Sequence, residues 1–431
     1  MCLKVSCVWM LATCLSFVPI GAEDWPQWRG AGRDGVWQES GLVETFAAAE
    51  IPRRWTVPIG AGYSGPTVAD GRVLVMDRVT EPEELERIHC FAAQTGENLW
   101  SHAYACSYDG VSYTAGPRAS VTIDNGLCYA IGATGHLHCL AAEDGQVRWQ
   151  RDLRQDFQIR MPTWGIAGSP LIENDLVIVQ IGGSDGACIV AFDKQTGQTR
   201  WQALEDVASY SSLIAIDQGD QRVVVCWTGE RIVGLDPRDG RLLWEHPFKF
   251  EQWPIAIATP VVDGDQLLLS EVHKGTLLLG LGQEPPAVQE LWHRRDDGQP
   301  ALHALMSTPL IIGQHIYGAH ENGVLRCLDR QTGEQLWEND TLVPTLRWAT
   351  VHLVKNGDRV WLFNDRGELI IAKVSPAGYE ELSRAKLIAP TTEQLRRRDG
   401  VAWSHPAFAQ RHIFARNDKE LVCADLSAAV E

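Results

Sequence analysis

Residues Asp193 to Trp201 read DKQTGQTRW. A turn-forming Thr196-Gly197 pair stands four residues ahead of a tryptophan in an otherwise polar stretch. The same arrangement ends at Trp100 (AAQTGENLW), Trp149 (AAEDGQVRW), Trp244 (LDPRDGRLLW) and Trp337 (LDRQTGEQLW). Repetition of this kind overrides a domain count taken from length, because an array of small units can close into one body. Trp55, Trp100, Trp149, Trp201, Trp244, Trp292 and Trp337 recur at intervals of 43 to 52 residues, and Leu382 takes the eighth place.

A second column gives the same count. Ahead of the first apolar run of each unit stand YSGP (from Tyr63), PRAS (Pro117), AGSP (Ala167), YSSL (Tyr210), IATP (Ile257), MSTP (Met306), WATV (Trp348) and WSHP (Trp403). Small residues in the middle of this column suit strands that converge on a narrow axis. Each unit carries short runs rich in β-branched and aromatic residues, broken by Gly, Asp and Asn, which read as four antiparallel strands. These features predict an all-β fold, an eight-bladed β-propeller of four-stranded antiparallel blades. The last unit supplies only three strands, and PRRWTVPI near the start has no unit before it. The predicted closing blade is therefore shared between residues 52–58 and 402–427, within a propeller spanning 51–431.

The motif Ala/Asp-x-x-x-Gly-x-x-x-Trp resembles the tryptophan-docking motif of pyrroloquinoline-quinone-like (PQQ-like) repeat propellers, and it covers essentially the whole chain after the leader. The resemblance implies that each indole packs between neighbouring blades, so Trp149, Trp201, Trp244 and Trp337 are expected to be buried. The unit ending at Trp292 lacks the turn, and Leu382 replaces the indole in the next but one. Within this group the chain resembles the propeller lipoprotein of the outer-membrane β-barrel assembly machine and, more distantly, the quinoprotein dehydrogenases. The dehydrogenases hold PQQ with an adjacent cysteine pair and a Ca²⁺ ion under long inter-blade insertions. This sequence has neither adjacent cysteines nor such insertions. The expected function is a non-catalytic binding or assembly scaffold without a cofactor; the alternative is a divergent PQQ-dependent oxidoreductase using PQQ and Ca²⁺.

A formal net charge of −17 over 431 residues disfavours nucleic acid as a partner. Residues 1–22 carry one lysine followed by an uncharged apolar run from Val5 to Ala22, which reads as a signal peptide and implies a periplasmic or secreted protein. A lipoprotein signal with Cys14 acylated is the alternative, and Thr13 fits it poorly. No later run is apolar for long enough to span a bilayer. Residues 23–50, which include DWPQWRGAGRDGV, resemble an N-terminal stretch of exported bacterial propellers and are expected to cap one face of the ring. Of the eight cysteines beyond the leader, Cys90, Cys139, Cys327 and Cys423 occupy one repeat position and read as structural thiols. The absence of C-x-x-C removes haem-attachment and zinc-ribbon readings.

Catalytic patterns are sparse. GYSGP belongs to the eightfold column and is not a nucleophile elbow. Asp109, Asp124 and Asn125 read as turn formers, His136 and His138 as an incidental pair on a strand face, and LRRRDG at Leu395–Gly400 as a solvated loop. What remains is the channel mouth. Tyr63, Arg118, Trp164, Tyr210, Trp253, His303, Arg347, Trp348, Trp403 and His405 stand just ahead of the inner strands. Aromatic rings with arginine and histidine, aimed at one axis, can bind a small ligand or a protein partner by stacking and charge-assisted hydrogen bonds.

Overall fold

Leu171–Glu173, Leu176–Gln180, Ile189–Asp193 and Thr199–Ala203 pair in chain order into one antiparallel sheet. Its middle strands, LVIVQ and IVAFD, are buried along almost their whole length, as strands covered by a sheet on either side must be. The outermost strand, TRWQA, buries only Trp201 completely. This is a computed structural model that describes residues 23–250, 253–295, 300–396 and 399–429. The expected signal peptide and Cys14 lie outside the described residues, as do Arg397 and Arg398 of the basic cluster.

The pattern occurs eight times, giving eight four-stranded sheets and an eight-bladed propeller. Seven blades are continuous, covering 67–105, 122–152, 171–203, 214–247, 261–294, 310–339 and 351–386; they are blades I to VII. In blade VIII, Ala407–Ala409, His412–Arg416 and Glu420–Asp425 are completed by Arg53–Pro58 from the start of the chain. Trp55 lies opposite Cys423 and Thr56 opposite Val422, so hydrogen bonds between distant chain segments shut the ring. No helix among the described residues is long and apolar enough to cross a membrane. All eight cysteines of the described residues are buried and unpaired.

The repeat glycine explains the tryptophan that follows it one blade earlier. Gly96, Gly145, Gly197 and Gly240 lie at φ between 70° and 74°, a conformation that favours glycine. A Cβ on Gly197 would stand 2.6 Å from the indole of Trp149, and Gly145 and Gly240 crowd Trp100 and Trp201 equally closely. Each indole also donates to a carbonyl three residues before that glycine: Trp55 to Ala93 (2.8 Å), Trp100 to Ala142 (3.0 Å), Trp149 to Lys194 (3.0 Å) and Trp201 to Pro237 (2.8 Å). One turn thus receives the preceding blade through both a flat apolar contact and a hydrogen bond.

Where the motif breaks, the junction changes. Blade V lacks the turn, and Trp244 donates instead to Gln218 Oε1 at 2.8 Å. The amide of buried Gln218 then reaches the carbonyls of Gly282 (2.6 Å) and Ala287 (2.7 Å) in blade V. Leu382 leaves the outer strand of blade VII without a docking indole, and Phe46 of the N-terminal segment packs there. Its ring lies 6.3 Å from Trp361, and its backbone N–H donates to Ser383 Oγ. Trp337 departs from the expected burial: it is only half-buried. It still donates to Ser375 at 2.8 Å, but Gly378 has φ 152° and its Cβ position faces open space, so the indole has no seat.

Trp149→Ala should therefore lower stability by about 3–5 kcal/mol, the scale of a large aromatic truncation in a core. Trp337→Ala should cost clearly less. Urea denaturation followed by tryptophan fluorescence compares them, and equal losses would remove the glycine seat as the distinguishing factor.

Candidate functional site

The residues just ahead of the inner strands converge on the axis and enclose a cavity of about 470 Å³. Hydroxyl groups fix their spacing. Ser169 Oγ accepts from the Ser120 N–H (2.9 Å), Ser212 Oγ from Ser169 N–H (3.1 Å), Thr308 Oγ1 from Thr259 N–H (3.1 Å) and Ser307 Oγ from Val351 N–H (3.2 Å). The small column is thus also a hydrogen-bonding belt that satisfies backbone donors between adjacent blades. Tyr63, Arg118, Trp164, Tyr210 and Trp253 line one part of the wall, and Arg347, Trp348, Trp403 and His405 complete the expected set that does so.

His303 does not line the cavity. Its ring is buried, with Nδ1 3.0 Å from the Val272 carbonyl and the His320 ring 5.4 Å away. Leu305 and Met306, closer to the inner strand of blade VI, take the wall position instead. Sequence reading also missed Trp28, Tyr113, Ile255 and Ile257, which line the cavity. The two isoleucines could have been found by following the column through its apolar members. Trp28 and Tyr113 come from segments outside the repeat and carry no such signal.

Charge in the wall is one-sided. The described lining residues include Arg118 and Arg347 but no Asp, Glu, Asn or Gln. Arg118 donates to the carbonyls of Ser112 (2.7 Å) and Tyr113 (2.6 Å) and lies 5.0 Å from the centre of the Tyr63 ring. Arg347 lies 4.6 Å from the Trp348 ring. Burial pushes the Tyr63 phenol up to about 12, so it remains a neutral hydroxyl.

The floor comes from the N-terminal segment. Trp25 pairs with Val68 of blade I through both backbone groups, and Trp28 donates to Thr259 Oγ1 of blade V at 2.8 Å. Arg33, fully enclosed, donates to the carbonyls of Leu213 (3.0 Å) and Pro170 at the inner edges of blades IV and III. Burial lowers its pKa to about 9 and that of Arg29 to about 10, which leaves both charged at neutral pH. Above them the His405 ring lies 5.2 Å from Trp28 and 4.8 Å from His352. His405 Nδ1 is 2.6 Å from the Pro406 carbonyl, which assigns that nitrogen the proton, and Nε2 is buried without a partner. Trp403 Nε1 is likewise a buried donor without a partner. Burial, then His352 and Arg29, hold the His405 pKa well below the ordinary value, so its imidazole is neutral.

This donor set can stack and hydrogen-bond a flat anion, but it does not fit Ca²⁺, which takes its ligands from carboxylate, amide and carbonyl oxygens. Among the described residues no group of three His, Cys, Asp or Glu is placed to hold a metal. Asp124 pairs with Lys194 at 2.7 Å and Asn125 occupies a turn with φ 48°. His138 is buried against the Tyr104 ring at 4.3 Å. Blade I brings Ser101 Oγ within 2.8 Å of His89 Nδ1, with His89 Nε2 3.1 Å from Asp77. That second contact falls outside hydrogen-bond geometry, and Arg87 donates to both Asp77 oxygens at 2.8 and 2.6 Å.

A family model described as outer membrane protein assembly factor BamB matches residues 84–339. The protein of that name from Burkholderia pseudomallei is 24% identical over 311 residues, covering 70% of this chain and 72% of its own. Its counterpart from Moranella endobia is 20% identical, covering 61% of this chain and 68% of its own. The crystal structure of BamB from Moraxella catarrhalis superposes with a TM-score of 0.60 at 16% identity, covering 89% of this chain and 100% of that one. A europium-containing methanol dehydrogenase gives 0.66 at 11% identity, covering 93% and 89%, a likeness of fold.

The floor histidines make stability depend on pH. Burial also holds His352 down, to about 4. The folded protein therefore binds fewer protons than the unfolded chain below the ordinary value of 6.5. Stability should be full above that value and fall as pH drops toward about 4. The urea midpoint measured across this range should decline less steeply for His352→Gln, and an unchanged slope would exclude His352 as a contributor.

Proposed function

The chain belongs to the PQQ-like β-propeller family whose model carries the description outer membrane protein assembly factor BamB, and from that premise we propose that it is a non-catalytic binding and assembly scaffold. It is exported through residues 1–22, acts in the cell envelope and presents the axial cavity mouth to its partner. The propeller spans 51–431, and residues 23–50 cap its far face. Tyr63, Arg118, Trp164, Tyr210, Trp253, Arg347, Trp348, Trp403 and His405 form the binding face.

One observation carries this reading: among the described residues, the cavity wall joins aromatic and cationic side chains but includes no carboxylate or carboxamide. Quinone-dependent oxidation needs a cation to polarise the cofactor carbonyl and a base beside the substrate hydroxyl. His405 Nε2 is a poor base, because burial and the neighbouring positive charge of Arg29 oppose its protonation. The relatives named for outer membrane protein assembly support the scaffold over the oxidoreductase.

Protein reconstituted with PQQ and Ca²⁺ should reduce no dye in the presence of alcohols or sugars, and depletion of the protein from its source should lower the amount of folded outer-membrane β-barrel protein. Cofactor-dependent turnover would overturn the scaffold in favour of the enzyme. Unchanged barrel levels would remove the assembly role.

A further inference from the structure

The expected leader ends at Ala22, and the next nitrogen of the chain faces a carboxylate. Glu23 N lies 3.0 Å from Glu39 Oε1. Glu39 is only 5% exposed, and its Oε2 accepts from Trp37 Nε1 at 2.8 Å and from the Arg411 backbone N–H at 2.5 Å. Three N–H donors thus surround a buried carboxylate that pairs with no cation among the described residues. The rest of Glu23 is fastened as firmly. Its carbonyl accepts from the Gln410 N–H at 3.0 Å and its Oε2 from the Gln38 N–H at 2.6 Å. Asp24 accepts from Gln410 Nε2 and from the Asp70 N–H, both at 3.1 Å. The first residue after the leader is therefore held between the turns of blades I and VIII.

The charged groups around this nitrogen are almost all acids. Glu23, Asp24, Asp34 and Glu39 come from the segment itself and Asp70 from the blade I turn, and none of them forms an ion pair among the described residues. Arg29 reaches the Asp34 carbonyl and not its carboxylate, and the Arg411 guanidinium lies against Gly41. Burial, with the like charges of Glu39 and Asp34, pushes the Glu23 carboxyl above its ordinary value. A positive charge is what the cluster lacks.

We propose that removal of residues 1–22 turns the Glu23 nitrogen into an ammonium ion that pairs with Glu39 and latches the floor segment to the ring. This rests on the export part of the function proposed above. A small residue before the bond, Ala22, suits a leader peptidase. One water is consumed: its oxygen goes to the new Ala22 carboxylate and its two protons to the Glu23 nitrogen. The nitrogen need not move, because it already stands at hydrogen-bond distance from Glu39, and the bond becomes charge-assisted. Trp25, Trp28, Arg29 and Arg33 follow closely in the chain, so the floor receives its last fastening only after export.

The test compares residues 23–431, with a free amine at Glu23, and residues 18–431, which keep the N–H but carry the charge elsewhere, each with and without Glu39→Gln. N-terminal sequencing of the protein exported from its source should begin at Glu23. In urea at pH 7 the shorter chain should have a folding equilibrium constant about tenfold larger, equivalent to a rise of about one unit in the pKa of its amine. Stability from a raised amine pKa is full below the ordinary value of about 7.7–8.0 and is lost as pH rises through the folded value, so the gap should close by about pH 10. Glu39→Gln should abolish the gap at pH 7, and if that variant does not fold the closure with pH decides. A gap that survives Glu39→Gln or persists at pH 10 overturns the latch. A start at Glu23 with no gap at pH 7 overturns the latch and leaves export standing; a start at Cys14 or a retained leader overturns both, while the dye-linked and barrel-level tests of the scaffold are unaffected.

Discussion

Five of the eight blade junctions depend on a tryptophan face resting on a glycine that belongs to the next blade. A β-sheet of four strands cannot bury both its faces alone. Each blade here is covered on two sides, and the indole fixes how far and at what angle the neighbour sits. The contact tolerates little: any side chain at Gly145 or Gly197 would enter the space of the indole. The hydrogen bond from Nε1 to the turn carbonyl adds direction to an otherwise slippery apolar contact. At the inner edge the hydroxyl belt does the corresponding work, so each blade is held at two radii.

The architecture was readable because this contact repeats. Thr-Gly followed by tryptophan, and small residues in register ahead of each inner strand, were enough to count eight blades. What escaped notice lies where a junction is solved once. Gln218 substitutes for a missing turn through a single amide, and nothing in "AIDQGDQ" distinguishes it from a loop residue. Trp337 matches the motif in sequence but lacks its seat, because the deciding conformation belongs to Gly378, 41 positions later. The cavity wall was legible in proportion to its share of the column. Its aromatic and cationic members were identified, its apolar members Ile257 and Met306 and the off-column Trp28 and Tyr113 were not, and His303 was misplaced because a three-residue offset carries a side chain behind the wall.

Electrostatics sets the axis apart from the rest of the molecule. The outer strands carry paired charges such as Arg231 with Asp206 and Arg384 with Glu368. Along the axis, guanidinium groups meet carbonyl oxygens and ring faces instead. Carbonyl dipoles solvate a guanidinium without neutralising it, so Arg33 is satisfied in hydrogen bonds while its charge still acts on its surroundings.

The crossing of residues 23–50 beneath the cavity has a consequence for the order of events during synthesis. Trp28 is made before any blade, yet its hydrogen-bond partner Thr259 lies 231 positions downstream. Arg33 must wait for blades III and IV, and Arg53–Pro58 for the last strand of all. The leading segment therefore remains unsatisfied until the closing blade emerges, and long-range closure of this kind is slow. A chain cut short before blade VIII lacks both a shut ring and Trp403 and His405 of the cavity wall, so possession of the axial pocket certifies that all eight blades were made.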